Sequence, residues 1–511
     1  MPGFEGRLIR REAVAEGFGM VAFVVITVMI VGLVVLIAAN AAVWFWPAPI
    51  WEVETSDGRI LLGQVVRGVS DTVADGAPHR WRLRTEDGRL VWLEEGEVAG
   101  RERPDAAAQV MFRAGGRRMG SVDILMAPDG TIEPHPEPAT VLRAVRTADR
   151  LADRCTELER ELGTLRRQLR APASAHEVVI LSQRIRDIET SLEKLRGGPH
   201  LGVLRVRQPG GTADVPLEDV STVVWPNQMG WAAKAWHAAA ELRRFLVTNP
   251  RSANTEGGVY PALFGTVTLV FLMTLAVMPL GVLCAVYMTE YARDGLLLRI
   301  ATHAVNNLAG VPSIVFGMFG LAFFIYGVGG TVDRTLFGDR LPTPTFGTGG
   351  ILWAALTLAL LTVPVVVVAT REGLENVPPE WRTASRALGA TQWQTLRNVV
   401  LPAAVPGMLT GLILAVSRAA GEVAPLMLTG VVKLAHSLPV DGTAPYLHLD
   451  RKFMHLGYHI WDVSMQSPNV EAAKPMAFAS ALVLLGFVVL VNLVAIWARS
   501  AARRRYHQGE A

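Results

Sequence analysis

Six stretches of this chain run for about 20 residues almost without charge, the length a helix needs to cross the hydrocarbon of a bilayer. They fall at roughly Met20–Val43, Pro261–Glu290, Asn306–Val328, Ile351–Thr370, Val405–Gly430 and Met476–Trp497. Residues 47–255 are different in kind, charged and soluble in character. This segregation is why a chain that is 50% hydrophobic averages to a mean hydropathy of only +0.30. It predicts a polytopic α-helical membrane protein with six transmembrane helices and one large extramembrane insert. The expected divisions are 1–46 (N-terminus and first anchor), 47–250 (insert), 251–500 (membrane core, with a charged loop at 371–402) and 501–511 (tail).

The first apolar stretch follows Arg7, Arg10 and Arg11 and precedes Trp44 and Trp46, as at a membrane interface. It carries no recognisable small-residue cleavage site, which predicts an uncleaved anchor. Positive charge sets the orientation. With six spans, the side of the N-terminus also receives Arg293, Arg299, Arg371, Arg382, Arg386, Arg397, Arg499 and Arg503–Arg505. The opposite short loops hold only Arg334, Arg340, Lys433, Arg451, Lys452 and Lys474. Both termini and the loop at 371–402 are therefore expected in the cytoplasm, and the insert outside it, in the periplasm of a bacterial inner membrane. The formal net charge of +3 is accounted for by this topology, and nothing resembles a nucleic-acid surface. The two cysteines, Cys155 in the insert and Cys284 in a span, offer no disulfide framework and no metal cluster.

The insert reads as α+β. From Trp51 to about Ile132 apolar and polar residues alternate, punctuated by Ser56-Asp57-Gly58, Glu86-Asp87-Gly88 and Pro128-Asp129-Gly130, which predicts short strands joined by hairpin turns. A helical hairpin is expected over 138–196. Val141, Ala144, Ala148, Leu151, Cys155, Leu158, Leu162, Leu165 and Leu169 form one heptad seam; Val178, Leu181, Ile185, Ile188, Leu192 and Leu195 form a second. Ala171–Ser174 breaks the run, so the seams pair as an antiparallel coiled coil. Core packing is the first use of this stripe, and a partner surface the second. Gly202–Val206 and Val220–Trp225 read as returning strands, which makes the hairpin an insertion in the β-domain. Gln228–Val247 reads as an amphipathic helix whose Trp231 and Trp236 suit a bilayer interface.

Between the fourth and fifth spans lies EWRTASRALGATQWQTLRNVVLP, residues 380–402. Pro378–Pro379 open a short helix, Gly389 ends it in a left-handed turn, and Thr391 caps a second helix. Helix, glycine turn and helix on the membrane surface make a knob that another protein can grip. An ordinary amphipathic connector is the plainer alternative.

The fifth span carries Ser417-Arg418-Ala419-Ala420-Gly421-Glu422-Val423-Ala424-Pro425-Leu426. A charge in lipid is costly unless paired or functional. Arg418, expected near mid-span, and Glu422 are one turn apart on one helix face. A guanidinium fork suits an oxyanion, so the pair marks an anion path. An ion pair that only fixes helix packing is the competing reading. The third span opens on His303, Asn306 and Asn307, then Gly310–Gly317. Pro312 within this helix, which frees a backbone carbonyl, and the glycines around it, which allow close helix contact, suggest a kinked gate, or a packing device.

These segments together resemble a known family. Residues 380–402 resemble the coupling loop of ABC importer permeases, whose pattern is Glu-Ala-Ala, three residues, Gly, nine residues, Ile, one residue, Leu-Pro. Here Thr383-Ala384-Ser385 stands for Glu-Ala-Ala, and Gly389, Val399, Leu401 and Pro402 fall in step. Asn254–Thr266, Val311–Gly317 and Arg418–Leu426 are similar to segments of the phosphate importer permeases within that family. The resemblance covers the anchor and about residues 250–500, and it leaves the insert unexplained.

It implies a non-catalytic subunit of an ATP-driven phosphate importer. Arg418, Glu422, Asn306, Asn307 and Ser313 would line the substrate path. Thr383, Ala384, Ser385, Gly389, Leu401 and Pro402 would couple to an ATPase. The implied partners are a companion permease, an ATPase dimer and a periplasmic phosphate-binding protein. ATP is used by the ATPase, and this chain has no Gly-x-x-x-x-Gly-Lys-Ser/Thr loop and no cofactor of its own. Within the same class, the companion permease or a permease for molybdate competes with this reading. A membrane-anchored sensor or scaffold using the coiled coil is the alternative from another class.

Overall fold

The computed structural model describes residues 2–65, 80–85, 90–94, 97–112, 117–127, 131–169, 175–196, 202–209, 211–251, 254, 256–435, 437–442, 444–467 and 470–507. Contacts divide the chain into two units, one of Met1–Trp44 with Arg244–Ala511 and one of Phe45–Arg243.

The second unit is the insert. Its first sheet contains β1 (Ile50–Thr55), β2 (Ile60–Val65), β3 (Arg80–Thr85), β4 (Leu90–Glu94) and β5 (Val98–Glu102), in the order β4-β3-β2-β1-β5. The Ser56–Gly58 turn is present, with Gly58 at φ +77°. The two other Asp-Gly turns, at 86–88 and 128–130, lie outside the described residues, but the strands flanking each pair antiparallel. The second sheet contains β6 (Ala107–Phe112), β7 (Arg117–Met126), β8 (Ile132–Pro134), β9 (Val203–Gln208), β10 (Gly211–Pro216) and β11 (Val220–Val224). Its order is β10-β9-β7-β6-β11, with β8 on β7. Since β9 pairs with β7 and β11 with β6, the strands after the helical hairpin return to the sheet before it.

The hairpin consists of α2 (Pro138–Leu169) and α3 (Ala175–Arg196); the breaker at 171–174 lies outside the described residues. The first seam is not spent on one partner. Val141, Ala144, Val145 and Ala148 pack on the second sheet with Val110, Leu125, Leu204 and Val220. The coiled coil starts only beyond them, where Leu158 and Leu165 meet Leu181, Ile185, Ile188 and Leu192. Small residues at the start of the seam let α2 approach the sheet, and leucines further along fill the space between two helices. Arg166–Glu189 and Arg184–Glu161 flank the pair in antiparallel register.

Helix α1 spans Pro2–Phe45, and α4 (Trp231–Val247), whose residues up to Arg243 belong to the second unit, precedes the membrane core. Trp231 and Trp236 on α4 are exposed. The core helices are α5 (Tyr260–Val286), α6 (Leu296–Leu308), α7 (Ser313–Phe319), α8 (Gly330–Leu336), α9 (Ile351–Glu375), α10 (Pro379–Ala387), α11 (Gln392–Thr395), α12 (Leu401–Gly421), α13 (Ala424–Thr429), α14 (Leu456–Met465) and α15 (Val470–His507). Among the described residues six helical runs are long and apolar enough to cross a membrane. They are Met20–Phe45, Tyr260–Tyr291, Ser313–Leu336, Ile351–Glu375, Gln392–Gly421 and Ala473–Ala501.

Helix α9 is the centre of the bundle, packed on α5 and α12 through a core that includes Leu269, Met273, Ala355, Leu358, Val366 and Ala415. Wide helical turns at Tyr287–Tyr291, Gly320–Gly329 and Leu396–Val400 extend α5, α7 and α11. The last of these absorbs Pro402, whose ring would clash with the carbonyl four residues back in a regular helix.

Two expected spans are broken rather than continuous. Pro312 does not kink a helix interior; it stands at the N-cap of α7 with ψ 136°, after α6 has ended at Leu308. A proline's fixed φ and missing N–H make it a helix starter there. Likewise the expected helix over Val405–Gly430 stops at Gly421. Glu422 is extended (ψ 130°), and α13 begins at Ala424 with Pro425 in its first turn. Pro425 stands in the first turn of α13, where its missing N–H costs no helical bond, so it starts the new helix rather than continuing the old one.

Candidate functional site

The two breaks lie beside one another. Helices α7 and α13, which follow them, cross where Gly317 meets Pro425: a Cβ on Gly317 would stand 2.7 Å from the Pro425 Cα. Glycine is thus required by the approach of a neighbouring backbone. Leu308 and Val311, from the first break, pack on the core cluster that holds Phe316, Ala419, Ala420 and Leu426 around the second.

Arg418 lies in the last turn of α12, not in the middle of a helix. Its depth is nevertheless central. Helices α9 and α12 run antiparallel, Gly373 against Gly407 and Ala369 against Gly411. Continuing that register sets Arg418 level with Thr362, near the middle of α9. Its Nε stands 3.5 Å from Glu422 Oε1, with side chains 34% and 21% exposed. The expected pair therefore exists, but Glu422 contributes from the extended break and not from a helical turn. There its side chain points from a chain segment with no helix to satisfy it, next to a cation at a helix C-terminus, where positive charge is favoured. Ser417 beside Arg418 donates to Asn492 Oδ1 of α15 at 2.8 Å. A single Asn in the apolar sixth stretch was the sequence signal for that contact.

Asn306 and Asn307 are exposed near the end of α6, and Ser313 is half-buried in the first turn of α7. The fold brings these residues to the first break and Arg418 and Glu422 to the second. Dipoles and charges gather where two helices are interrupted side by side, an arrangement suited to an anion held at mid-depth.

At the far end of α9 and α12 stands the knob. Helix α10 has Pro378 as N-cap and Pro379 in its first turn. Gly389 takes φ +87°, and the N–H of Ala390 closes back on the Ser385 carbonyl at 3.2 Å. That left-handed turn is why a glycine stands there. Thr391 and Gln394 form a reciprocal capping box at the start of α11. Thr383 bonds back to the Pro379 carbonyl, the Ala384 carbonyl takes the N–H of Leu388, and Ser385 Oγ meets Thr395 Oγ1 at 3.0 Å, which joins the two helices. Leu401 and Pro402 open α12. Leu388, at the tip, is 91% exposed, and Trp393 is exposed beside it.

Two features escaped the sequence reading. Arg382 donates to Glu290 Oε1 at the end of α5, at 2.8 Å from Nη2 and 3.1 Å from Nε. The signal was a Glu at the edge of an apolar span, here counted only as its boundary. The second is a buried polar cluster around α14. Lys433 Nζ stands 3.1 Å from Asp462 Oδ2, and Asn254 Nδ2 reaches both the Lys433 carbonyl and Asp462. His455, at the N-cap of that helix, and His459 within it are buried nearby. Burial lowers both imidazoles to about 4, with Asp462 partly opposing the shift at His459.

Comparison with known proteins gives this arrangement a context. The family described as "Binding-protein-dependent transport system inner membrane component" matches residues 277–508. The chain is 32% identical over 259 residues to a probable ABC transporter permease protein, YqgI, of Bacillus subtilis, covering 50% of this chain and 82% of that protein. It is 34% identical over 249 residues to the phosphate transport system permease protein PstA 1 of Mycobacterium tuberculosis, covering 49% of this chain and 73% of that one. It is 31% identical over 255 residues to PstA of Yersinia pestis, with coverages of 50% and 76%. Among solved structures, a chain of the MetNI methionine ABC transporter aligns over 48% of this chain and 94% of its own, at 21% identity and a TM-score of 0.33, too slight a likeness to bear on function.

Proposed function

The chain belongs to the family of binding-protein-dependent transport system inner membrane components and is a multi-pass membrane protein of ABC permease type; from that premise we propose that it forms part of the path of an ATP-driven importer of inorganic phosphate. The observation that carries the substrate is the Arg418–Glu422 pair at a helix break level with the middle of α9. The names of the PstA relatives support the same anion.

Phosphate at neutral pH carries one or two negative charges and a set of oxygens that a guanidinium can hold by two parallel hydrogen bonds. Arg418 supplies that fork and offsets the cost of bringing an anion into a low-dielectric path. Glu422 holds the fork when no anion is present. On phosphate arrival the guanidinium exchanges one oxyanion for another, and the repulsion between Glu422 and phosphate limits how tightly substrate is held. Asn306, Asn307 and Ser313 supply neutral donors at the neighbouring break. The pore alternates its access as the helices on either side of the breaks move.

In this reading the chain hydrolyses nothing and binds no cofactor. The partners are a companion permease of the PstC type, a dimer of PstB-type ATPases that grips Thr383–Gly389 and the start of α12, and a PstS-type phosphate-binding protein. Both termini and the knob face the cytoplasm, and residues 47–250 face the periplasm, a reading that the Arg-rich loops support.

The test is uptake of radiolabelled phosphate by cells whose own phosphate importers are deleted, expressing this chain with its companion permease, ATPase and binding protein. Saturable, ATP-dependent phosphate uptake that molybdate and sulfate do not compete is expected. Uptake of molybdate with none of phosphate would overturn the substrate and leave the permease.

A further inference from the structure

We infer that Arg382 and Glu290 form a positioning clamp that makes the knob and the ends of α5 and α9 move as one body, so that motion received at the knob reaches three core helices rather than two. The inference rests on the docking reading above and goes beyond it, because the coupling loop is joined covalently only to α9 and α12.

The geometry is that of a junction. Besides its two bonds to Glu290 Oε1, Arg382 donates from Nη1 to the Val377 carbonyl at 2.7 Å and from Nη2 to the Leu374 carbonyl at 2.8 Å. Leu374 is in the last turn of α9, and its carbonyl also accepts from the N–H of Val377 just beyond the helix. One guanidinium therefore caps α9, belongs to α10 and grips α5. Glu290 holds the second knob helix as well: its backbone carbonyl accepts from Gln392 Nε2 at 2.8 Å. A single residue of α5 thus binds α10 through its carboxylate and the start of α11 through its main chain.

The pair is sheltered, with side chains 18% and 8% exposed. Surface ion pairs are weak and exchange freely with water. A sheltered pair joined by two hydrogen bonds to one carboxylate oxygen, its guanidinium also bonded to two main-chain carbonyls, is held, and breaking it leaves a charge unpaired. The exposed Arg371–Glu375 pair at the same end of α9 has none of this and serves as the control.

Above the clamp the helices are packed to carry the motion onward. A Cβ on Gly281 of α5 would meet Val366 of α9 at 2.6 Å, and Gly373 of α9 lies against Gly407 of α12. Densely packed elements shift as bodies rather than deform.

The experiment uses the complete transporter, reconstituted in liposomes with its ATPase and binding protein, and reads phosphate moved per ATP hydrolysed together with ATPase co-purification. Glu290→Gln keeps the main-chain contact to Gln392 and removes the charge. It is expected to lower phosphate per ATP by about fivefold or more while the ATPase still co-purifies and hydrolyses. Arg382→Lys, which keeps charge without the fork, is expected to fall in the same ratio to a lesser extent, and Glu375→Gln to leave it unchanged. If Glu290→Gln does not accumulate, Arg382→Lys decides by the same ratio. A wild-type ratio in either variant overturns the clamp, as does a loss of transport strictly parallel to a loss of co-purification. Leu388→Asp separates the two levels. If it leaves co-purification and coupling intact, the docking reading itself is wrong; if it abolishes co-purification while Glu290→Gln keeps the wild-type ratio, only the clamp is wrong.

Discussion

Arg418 and Glu422 are worth most to the protein as a pair, and they are expected to fail separately. Arg418→Ala removes the counter-charge and leaves Glu422 to repel phosphate; Glu422→Ala frees the guanidinium to hold substrate or another acceptor. Each is expected to lower phosphate uptake by about tenfold or more in complexes that assemble, the scale of a lost charged hydrogen bond. Arg418→Lys keeps the charge without the fork and is expected to be impaired too. Neutralising both should restore assembly better than transport. If Arg418→Ala assembles and carries phosphate at the wild-type rate, the pair has only a packing role. A different residue-scale effect sits on α14, outside the six spans. His455 and His459 have pKa values lowered by burial to about 4, against 6.5 when unfolded. The unfolded chain thus binds more protons between those values, so the stability that neutral rings confer is complete above 6.5 and is lost as pH falls towards 4. In detergent, the melting temperature is expected to drop by at least about 5 °C between pH 7.5 and 4.5, and His459→Leu should flatten that slope. A pH-independent melting temperature in the parent protein would refute it.

At the scale of elements, the knob is a rigid handle because each of its joints has a separate lock. Gly389 sits at φ +87°, which a β-branched residue reaches only with strain of about 1–3 kcal/mol. The capping box fixes the second helix, and Ser385–Thr395 joins the two. Gly389→Val should therefore bend the handle without dislodging the chain from the membrane. ATP hydrolysis is expected to continue with phosphate uptake uncoupled from it, read as uptake and phosphate release in the same vesicles. Normal coupled transport in this variant would count against the docking role. The broken helices are the complementary device. Where the knob is locked, the breaks at 309–312 and 422–423 interrupt the regular helical ladder, with Gly310, Val311 and Glu422 bonded only to carbonyls three residues back.

For the molecule as a whole, the insert has the marks of an independent unit, with its own contacts, two sheets and a hydrophobic core formed by α2 and the second sheet. The family match covers residues 277–508, so the insert is an addition to a permease body rather than a part of it. Its side of the membrane is checked by chemistry. In a variant lacking Cys155 and Cys284, a cysteine at Ser56, in the exposed turn between β1 and β2, is expected to react with an impermeant thiol reagent in cells with an intact inner membrane. Labelling only after lysis of that membrane would reverse the orientation.

Sequence by itself determined the elements whose cause is local. Long uncharged stretches can only be spanning helices, Pro378–Pro379, Gly389 and Thr391 dictate helix, turn and cap, and heptad spacing dictates a paired hairpin. The Arg418–Glu422 pairing was legible for the same reason, since four residues of separation bring two side chains together whether the chain is fully helical or just leaving a helix. What the sequence left open was whatever depends on a neighbour distant in the chain. Pro312 and Pro425 look alike whether they kink a helix or begin one, and only packing of α7 on α13 decided for beginning. The α2 seam has one period throughout, yet its first turns face a sheet assembled from strands on both sides of the hairpin. Arg382 and Glu290 are 92 positions apart, and nothing in either local pattern pairs them. Periodicity and turn chemistry act over a few residues and are written in the chain; burial, register and the choice of a charged partner are settled only when distant segments exclude water together.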